Sequence, residues 1–468
     1  MDINLDIQAL LEENAKLKSE NASLKTNVCQ LENKILLLED KLSKLELLLD
    51  SYQVKKNSHN SSIPPSKEIV KPNQSLRIKS TRKRGGQKGH KGTSLKMTEV
   101  PDQIITIEPN FCNQCGSDLS SSPSLFDSRR QVIEIPPIQP IYVEYQLMSK
   151  TCNCGHIQKG DYPDSVSNHI QYGATVQATI AYESVRQYVP FKRLSEKLLY
   201  LYNLPISEGT IQNSLHAMAE KARPIYNTIQ ERIESSTVVG GDETSVDVSG
   251  KNWWAWVFQN QLLTFIAILA TRGQKAIDKL FRNGFANATL VSDRWRAHLN
   301  TFAKGHQLCL AHLLRDLNYL IELEKTDWAQ KVKDLFLKAI ELKKQLTSYN
   351  DSNPKILEIE KAMDALLTDG LLKEKVPKSY VFQRALIVNR AYLFPFLYYR
   401  DVPPDNNGSE RAVRNIKVKQ KISGQFNGGQ EDFAILRSVI DTVIKNSGNV
   451  YETLKLIANL KINSTLAE

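Results

Sequence analysis

The chain of 468 residues has no long apolar run. Near its middle, Ile266 to Ala270 with the flank Leu262-Leu263-Thr264-Phe265 is the longest such stretch, far short of the roughly 20 residues a membrane helix needs. Its first residues are acidic and polar, not basic and then apolar, so no secretory leader is expected. Cysteine is scarce, six in all, which excludes a disulfide framework as the source of stability. Acid is almost missing from one segment: residues 51–92 hold eleven Lys/Arg against the single Glu68. Taking these from the totals of 61 and 51 leaves fifty of each sign elsewhere, so the whole net charge of +10 lies in that segment. The remainder, 41% apolar and 24% charged, is the composition of a soluble globular protein without a membrane partner, and its length calls for several units of roughly 100 to 200 residues.

Leucine recurs every seventh residue at Leu10, Leu17, Leu24, Leu31, Leu38 and Leu45, with Ile7, Asn14, Asn21, Val28, Ile35 and Leu42 three positions before each. As d and a positions these make a coiled coil of about six heptads over residues 1–50, and Asn at two a positions favours a parallel, in-register homodimer. Residues 51–96 follow as a linker. Its Asn57-Ser58-His59-Asn60-Ser61-Ser62-Ile63-Pro64-Pro65-Ser66 stretch cannot build a core. Its basic part, with Arg82, Lys83, Arg84, Lys88 and Lys91 among glycines, suits a backbone that follows phosphates.

Cys112-Asn113-Gln114-Cys115-Gly116 and Cys152-Asn153-Cys154-Gly155 bracket two alternating stretches, residues 131–135 and 141–145, that read as strands. Residues 97–165 are therefore expected to be a small zinc-ribbon-like β module, with Cys112, Cys115, Cys152 and Cys154 on a structural zinc and His156 able to replace one thiol. Residues 166–236 have a helical pattern broken at Tyr188-Val189-Pro190-Phe191. A Ser207-capped helix after Leu204-Pro205 suits a helix-turn-helix DNA-binding unit.

From Thr237 the texture turns to strands. The first leads into Asp242, a hairpin spans residues 252–269 across Gln259-Asn260-Gln261, a helix covers 274–281, and a fourth strand ends at Asp293. Three strands, a helix and a strand, with acids on the first and fourth, is the order of a ribonuclease H-like core, in which those two strands are neighbours. Residues 237–312, ending in a fifth strand at 307–310, form its first part. A helical insertion fills 313–402, and helices of 403–468 complete it, with Glu410 in a helix that begins after Asp405-Asn406-Asn407. Arg411, Arg414 and Lys417 follow on that helix as candidate DNA contacts.

Phosphodiester attack builds negative charge on the entering and leaving oxygens. Two Mg²⁺ or Mn²⁺ ions about 4 Å apart stabilise both and lower the pKa of the attacking water or 3′-hydroxyl. Such hard ions take oxygen ligands, so carboxylates are the expected holders, here Asp242, Asp293 and Glu410. His298, His306 and His312 are further contributors or, equally, structural histidines.

The heptads, the Asn60-Ser61-Ser62-Ile63-Pro64-Pro65-Ser66 linker, Arg84-Gly85-Gly86-Gln87-Lys88-Gly89-His90, the cysteine knuckles, Asp242-Glu243-Thr244, Ser292-Asp293-Arg294, Cys309-Leu310-Ala311-His312 and Asp405-Asn406-Asn407 leading to Glu410-Arg411-Ala412-Val413-Arg414 together resemble the bacterial DDE transposases of the insertion-sequence 66 family over nearly the full chain. The one-residue gap between Cys152 and Cys154 departs from the family's knuckle. The resemblance implies a catalytic triad of Asp242, Asp293 and Glu410. It also implies binding to the terminal inverted repeats of a mobile element, and cleavage and strand transfer on double-stranded DNA. Helper proteins of the same element and a cytoplasmic, nucleoid-associated place belong to the same expectation. The alternatives are a ribonuclease H-like nuclease or resolvase that cuts without joining, and a non-catalytic DNA-binding relic.

Overall fold

The structure is a computed structural model that describes residues 3–53, 56–57, 60–61, 89, 91–92, 94–163, 165–166, 168–350 and 352–460. Its elements run α1 (Ile3–Gln53), β1 (Ser149–Thr151), β2 (Ile157–Lys159), α2 (Ala174–Ala181), a π-helical turn (Tyr182–Arg186), α3 (Phe191–Tyr202), α4 (Glu208–Glu234), β3 (Val238–Val248), β4 (Lys251–Gln259), β5 (Thr264–Leu269), α5 (Gln274–Leu280), β6 (Phe285–Ser292), α6 (Arg296–Leu299), β7 (Ala303–Leu308), α7 (Leu310–Glu324), α8 (Asp327–Gln345), α9 (Pro354–Thr368), α10 (Pro377–Val388), α11 (Pro395–Tyr398), α12 (Asn407–Ser423), α13 (Gln430–Lys445) and α14 (Val450–Ala458). It is a mixed α/β protein. No helix among the described residues is long and apolar enough to cross a membrane.

The central sheet has the order β5-β4-β3-β6-β7. β3, β4 and β5 form an antiparallel meander, whereas β6 and β7 run parallel to β3. The expected adjacency of first and fourth strands is therefore present, with Gly240 opposite Val291. β3 does not stop near Asp242 but continues six residues to Val248, because its second half pairs with β4 as far as Val248 opposite Lys251. The fifth strand lies earlier than expected, at 303–308, and α7 starts at Leu310.

Two apolar cores flank the sheet. One joins α2 to α4 with β4, β5, α13 and α14, through Ile211, Met218, Phe265, Ile266, Leu436 and Ile440 among others. The helical segment before the sheet thus shares a core with it. Ser207 caps α4 as expected, accepting from the Thr210 amide at 3.2 Å, and the break at Tyr188 falls between the π-turn and α3. The other core gathers α7 to α11 with Val291 and Leu308, a bundle inserted between β7 and α12.

Residues 131–135 and 141–145 form no strands. Pro136, Pro137 and Pro140 lie between them and offer no amide for a ladder, and Val132, Ile135, Ile141 and Tyr142 stay exposed. The only strands near the cysteines among the described residues are β1 and β2, a short antiparallel hairpin that holds the second knuckle in its turn.

Candidate active site

The site is built outward from Gly240-Gly241-Asp242-Glu243 on β3. Side chains alternate across a strand, so Gly240 and Asp242 share one face and Gly241 and Glu243 the other. A Cβ on Gly240 would lie 2.5 Å from Asn406 Oδ1 and 2.9 Å from Ser409 Oγ, both at the start of α12. A Cβ on Gly241 would meet the His298 ring at 3.3 Å. The two glycines therefore let α12 close on the Asp242 face and α6 close on the Glu243 face.

Asp293 follows β6 directly, two residues past Val291 as Asp242 is two past Gly240, so strand pairing brings the two acids side by side. Asp293 Oδ1 accepts from the Trp295 amide at 2.9 Å, which fixes the carboxylate in its turn. Behind it, the Arg272 guanidinium lies 3.8 Å from the Trp295 ring centroid and 4.5 Å from that of Trp254, and donates to Glu243 Oε1 at 2.8 and 2.9 Å. His298, fully buried, donates from Nε2 to Glu243 Oε2 at 2.8 Å. Glu243, Arg272, Trp295 and His298 thus tie the backbone beside Asp242 to the turn that carries Asp293.

Glu410 lies in the first turn of α12. The Asn406 side chain does not cap that helix; Asp405 accepts from the Asn407 amide at 3.1 Å instead. Asn406 is buried, donates from Nδ2 to the Gly241 carbonyl at 2.7 Å, accepts from Ser409 at 2.6 Å, and its amide donates to Cys309 Sγ at 3.2 Å. The Cys309 amide in turn donates to the Ser292 carbonyl at 2.8 Å and that of Leu310 to Pro404 at 2.9 Å. The ends of β6, β7 and the loop before α12 are stitched together around β3. Glu410 Oε1 accepts from Arg315 of α7 at 2.7 Å, and Oε2 lies 3.7 Å from Arg414. A carboxylate oxygen of Glu410, a ring nitrogen of His312 and the Cys309 sulfur all lie within 4.8 Å of one another.

Electrostatics links these groups into one cluster. Burial, together with the negative charges of Glu243 and Asp293, pushes the half-buried Asp242 carboxyl up to about 7, partly opposed by His298. Burial works against a charged Glu243, but hydrogen bonds from His298 and Arg272 outweigh it and hold its carboxyl below the ordinary value. For His298 burial is likewise outweighed, by Glu243 above all, and its pKa is raised. Glu243 and His298 form a buried ion pair. Burial and the charge of Arg315 hold His312 down against Asp293 and Glu410, and burial pushes the Cys309 thiol up to about 12. The neighbouring acids that raise Asp242 favour a cation beside it, and Asp242, Asp293 and Glu410 carry oxygen donors of the kind Mg²⁺ or Mn²⁺ takes, but the three carboxylates do not all come within 4.8 Å of one another.

Of the other expected contacts, Arg82, Lys83, Arg84 and Lys88 lie outside the described residues, and Lys91 is exposed. Arg411 and Arg414 are exposed on α12. Lys417 is engaged with the protein, its ammonium donating to the Ser245 carbonyl and, at 3.3 Å, to Gln420. The cysteines form two knuckle turns, each with glycine at positive φ, Gly116 at 73° and Gly155 at 83°. Among the described residues, no three of the four sulfurs come within 4.8 Å of one another. Glu243, Arg272, Asn406 and Arg315 were not among the expected residues. For Glu243 a signal existed, an acid next to Asp242 that strand alternation must send to the opposite face.

No similar sequence was found among curated proteins. The family model described as "Transposase IS66 family" matches residues 169–431, a span that includes Asp242, Asp293 and Glu410, and the chain belongs to that family of transposases.

Proposed function

We propose that this transposase cuts DNA at the ends of an insertion sequence and joins them to a target through a triad of Asp242, Asp293 and Glu410 on a ribonuclease H-like core. The observation that supports this reading is the parallel pairing of β3, which carries Asp242, with β6, which leads into Asp293, beside an α12 that carries Glu410 and is tied to β3 by Asn406. The sheet order, with the antiparallel meander next to two parallel strands, supports the ribonuclease H-like assignment.

Asp242, Asp293 and Glu410 would hold the divalent ions. When bound, these ions stabilise charge on the entering and leaving oxygens and acidify the attacking hydroxyl or water. The chain's own groups do the rest. Asn406 holds the Glu410 helix against the Asp242 strand. Trp295 fixes the Asp293 carboxylate. Arg315 and Arg414, close to Glu410, present guanidinium forks that match phosphate oxygens. Arg82, Lys83, Arg84, Lys88 and Lys91, with Arg411, would add sequence-independent affinity for double-stranded DNA. Water attacks the phosphorus at the element's end and the bridging 3′-oxygen leaves as a hydroxyl. That hydroxyl then attacks a target phosphate, displacing a second 3′-oxygen.

The test is incubation of the purified chain with Mg²⁺, target DNA and a duplex bearing the element's end, 5′-labelled on the strand to be transferred. Products longer than the input, with the label joined to target, support transposition. Shortened strands without joined products favour a hydrolytic nuclease, and an unchanged duplex bound by the protein favours a DNA-binding relic or a missing helper.

A further inference from the structure

His312 begins α7 one turn before Arg315, on the rim of the acid cluster. Its ring nitrogen shares with Glu410 and Cys309 a space in which all three donor atoms lie within 4.8 Å. His312 Nδ1 is buried and has no hydrogen-bond partner. A buried acceptor or donor left unpaired costs about 1 to 3 kcal/mol, so an orphan beside carboxylates points to a ligand. Nδ1 of His298 and of His306 is unpaired as well, but neither histidine belongs to such a cluster of donor atoms among the described residues. His298 is committed to Glu243 on the opposite face of β3, and His306 packs on Tyr392 of the helical insertion, its ring centroid 5.1 Å away.

We infer that His312 gives a nitrogen donor to the divalent cation that Glu410 would hold. The inference rests on the metal-binding reading of Asp242, Asp293 and Glu410. Cys309 is not a rival donor: its sulfur already accepts the Asn406 amide, and a protonated thiol does not ligate hard ions. An imidazole in an otherwise all-oxygen set shifts preference from Mg²⁺ toward Mn²⁺. It would also fix α7, and Arg315 with it, against the reacting phosphate.

The experiment is Mn²⁺ binding to the full chain, read by electron spin-echo envelope modulation, which reports nitrogen bonded directly to the ion. The wild type should show ¹⁴N modulation, and protein grown with imidazole-¹⁵N histidine should lose the ¹⁴N pattern, a check that needs no variant. His312→Gln should abolish the nitrogen signal and weaken Mn²⁺ binding on the order of tenfold. His216→Gln should leave it in place, although His216, Glu220 and Asp432 form the other cluster of such side chains among the described residues. Wild-type Mn²⁺ that Asp242→Asn releases but that carries no nitrogen coupling would overturn the His312 ligand and leave the carboxylate site standing. Nitrogen coupling that persists in His312→Gln would overturn it as well. Mn²⁺ binding indifferent to both Asp242→Asn and Glu410→Gln would overturn the inference and the underlying metal site together.

Discussion

Asp242 carries a cost that depends on pH. Its carboxyl is pushed up to about 7, above the ordinary value of 3.8, so between roughly pH 4 and 7 the folded chain binds more protons than the unfolded one. Stability of the protein in EDTA should therefore fall as pH rises through that window and level off above about 7. Asp242→Asn should remove this slope and stabilise the protein at pH 8 by about 2 kcal/mol, less than the full shift implies because the carboxylate is half-buried. Denaturant unfolding across pH checks both; a wild-type slope unchanged in the variant would show that another group titrates. Divalent ions compete with the same proton, so their affinity should weaken as pH falls below about 7. His298 makes the opposite case, a partner whose removal strands a buried charge. His298→Ala should destabilise by about 3 kcal/mol or more, whereas replacing a surface histidine such as His216 should cost little. At this scale the sequence singles out the three acids, which stand at the ends of apolar or basic runs. It was silent on Arg272 and Asn406, whose partners are distant in the chain and chosen only by the fold.

At the level of elements, the account turns on how α12 seats against β3. Gly240 and Gly408 admit Gln259, whose Nε2 would lie 2.5 Å from a Cβ on either, and Lys445 pins Gln259 by donating to its Oε1 at 2.8 Å. Neither neighbour can give way easily, because Asn406 is buried in its own hydrogen bonds. Gly240→Ala should thus cost roughly 1 to 3 kcal/mol in denaturant unfolding and lower DNA cleavage further than the stability loss explains. Asn406→Ala should do the same by releasing α12 from the Gly241 carbonyl, with a cost of about 1 to 3 kcal/mol. If either variant kept full activity, the docking of α12 would not be what delivers Glu410. Strand order, the capped α4 and the helical insertion could be read from alternation, caps and helical periodicity, all local patterns. The mistaken strands at 131–135 and 141–145 had the alternation but no partner, and proline between them withheld the amides that pairing needs.

For the whole molecule, α1 is one continuous helix whose heptad leucines remain exposed, Leu17, Leu24, Leu31, Leu38 and Leu45 all above half of their surface. An apolar seam of that length is poorly stable alone, and we propose that a second copy covers it in a coiled coil. Light scattering should give a dimer or larger for the full chain and a monomer once residues 1–53 are removed. A truncated chain that stays oligomeric would place the interface elsewhere. The heptads made this helix legible from sequence; the adjacency of the strands that carry Asp242 and lead into Asp293 was legible only through the expected strand order, since no local pattern joins them. The most direct measurement of the central claim is strand transfer on labelled element ends by the wild type beside Asp242→Asn, Asp293→Asn and Glu410→Gln, each with Mg²⁺ and with EDTA. The account predicts metal-dependent joined products from the wild type and a loss of about three powers of ten or more in each folded variant, matching several kcal/mol of charge stabilisation. Activity that survives any of the three substitutions, or that persists in EDTA, would contradict it.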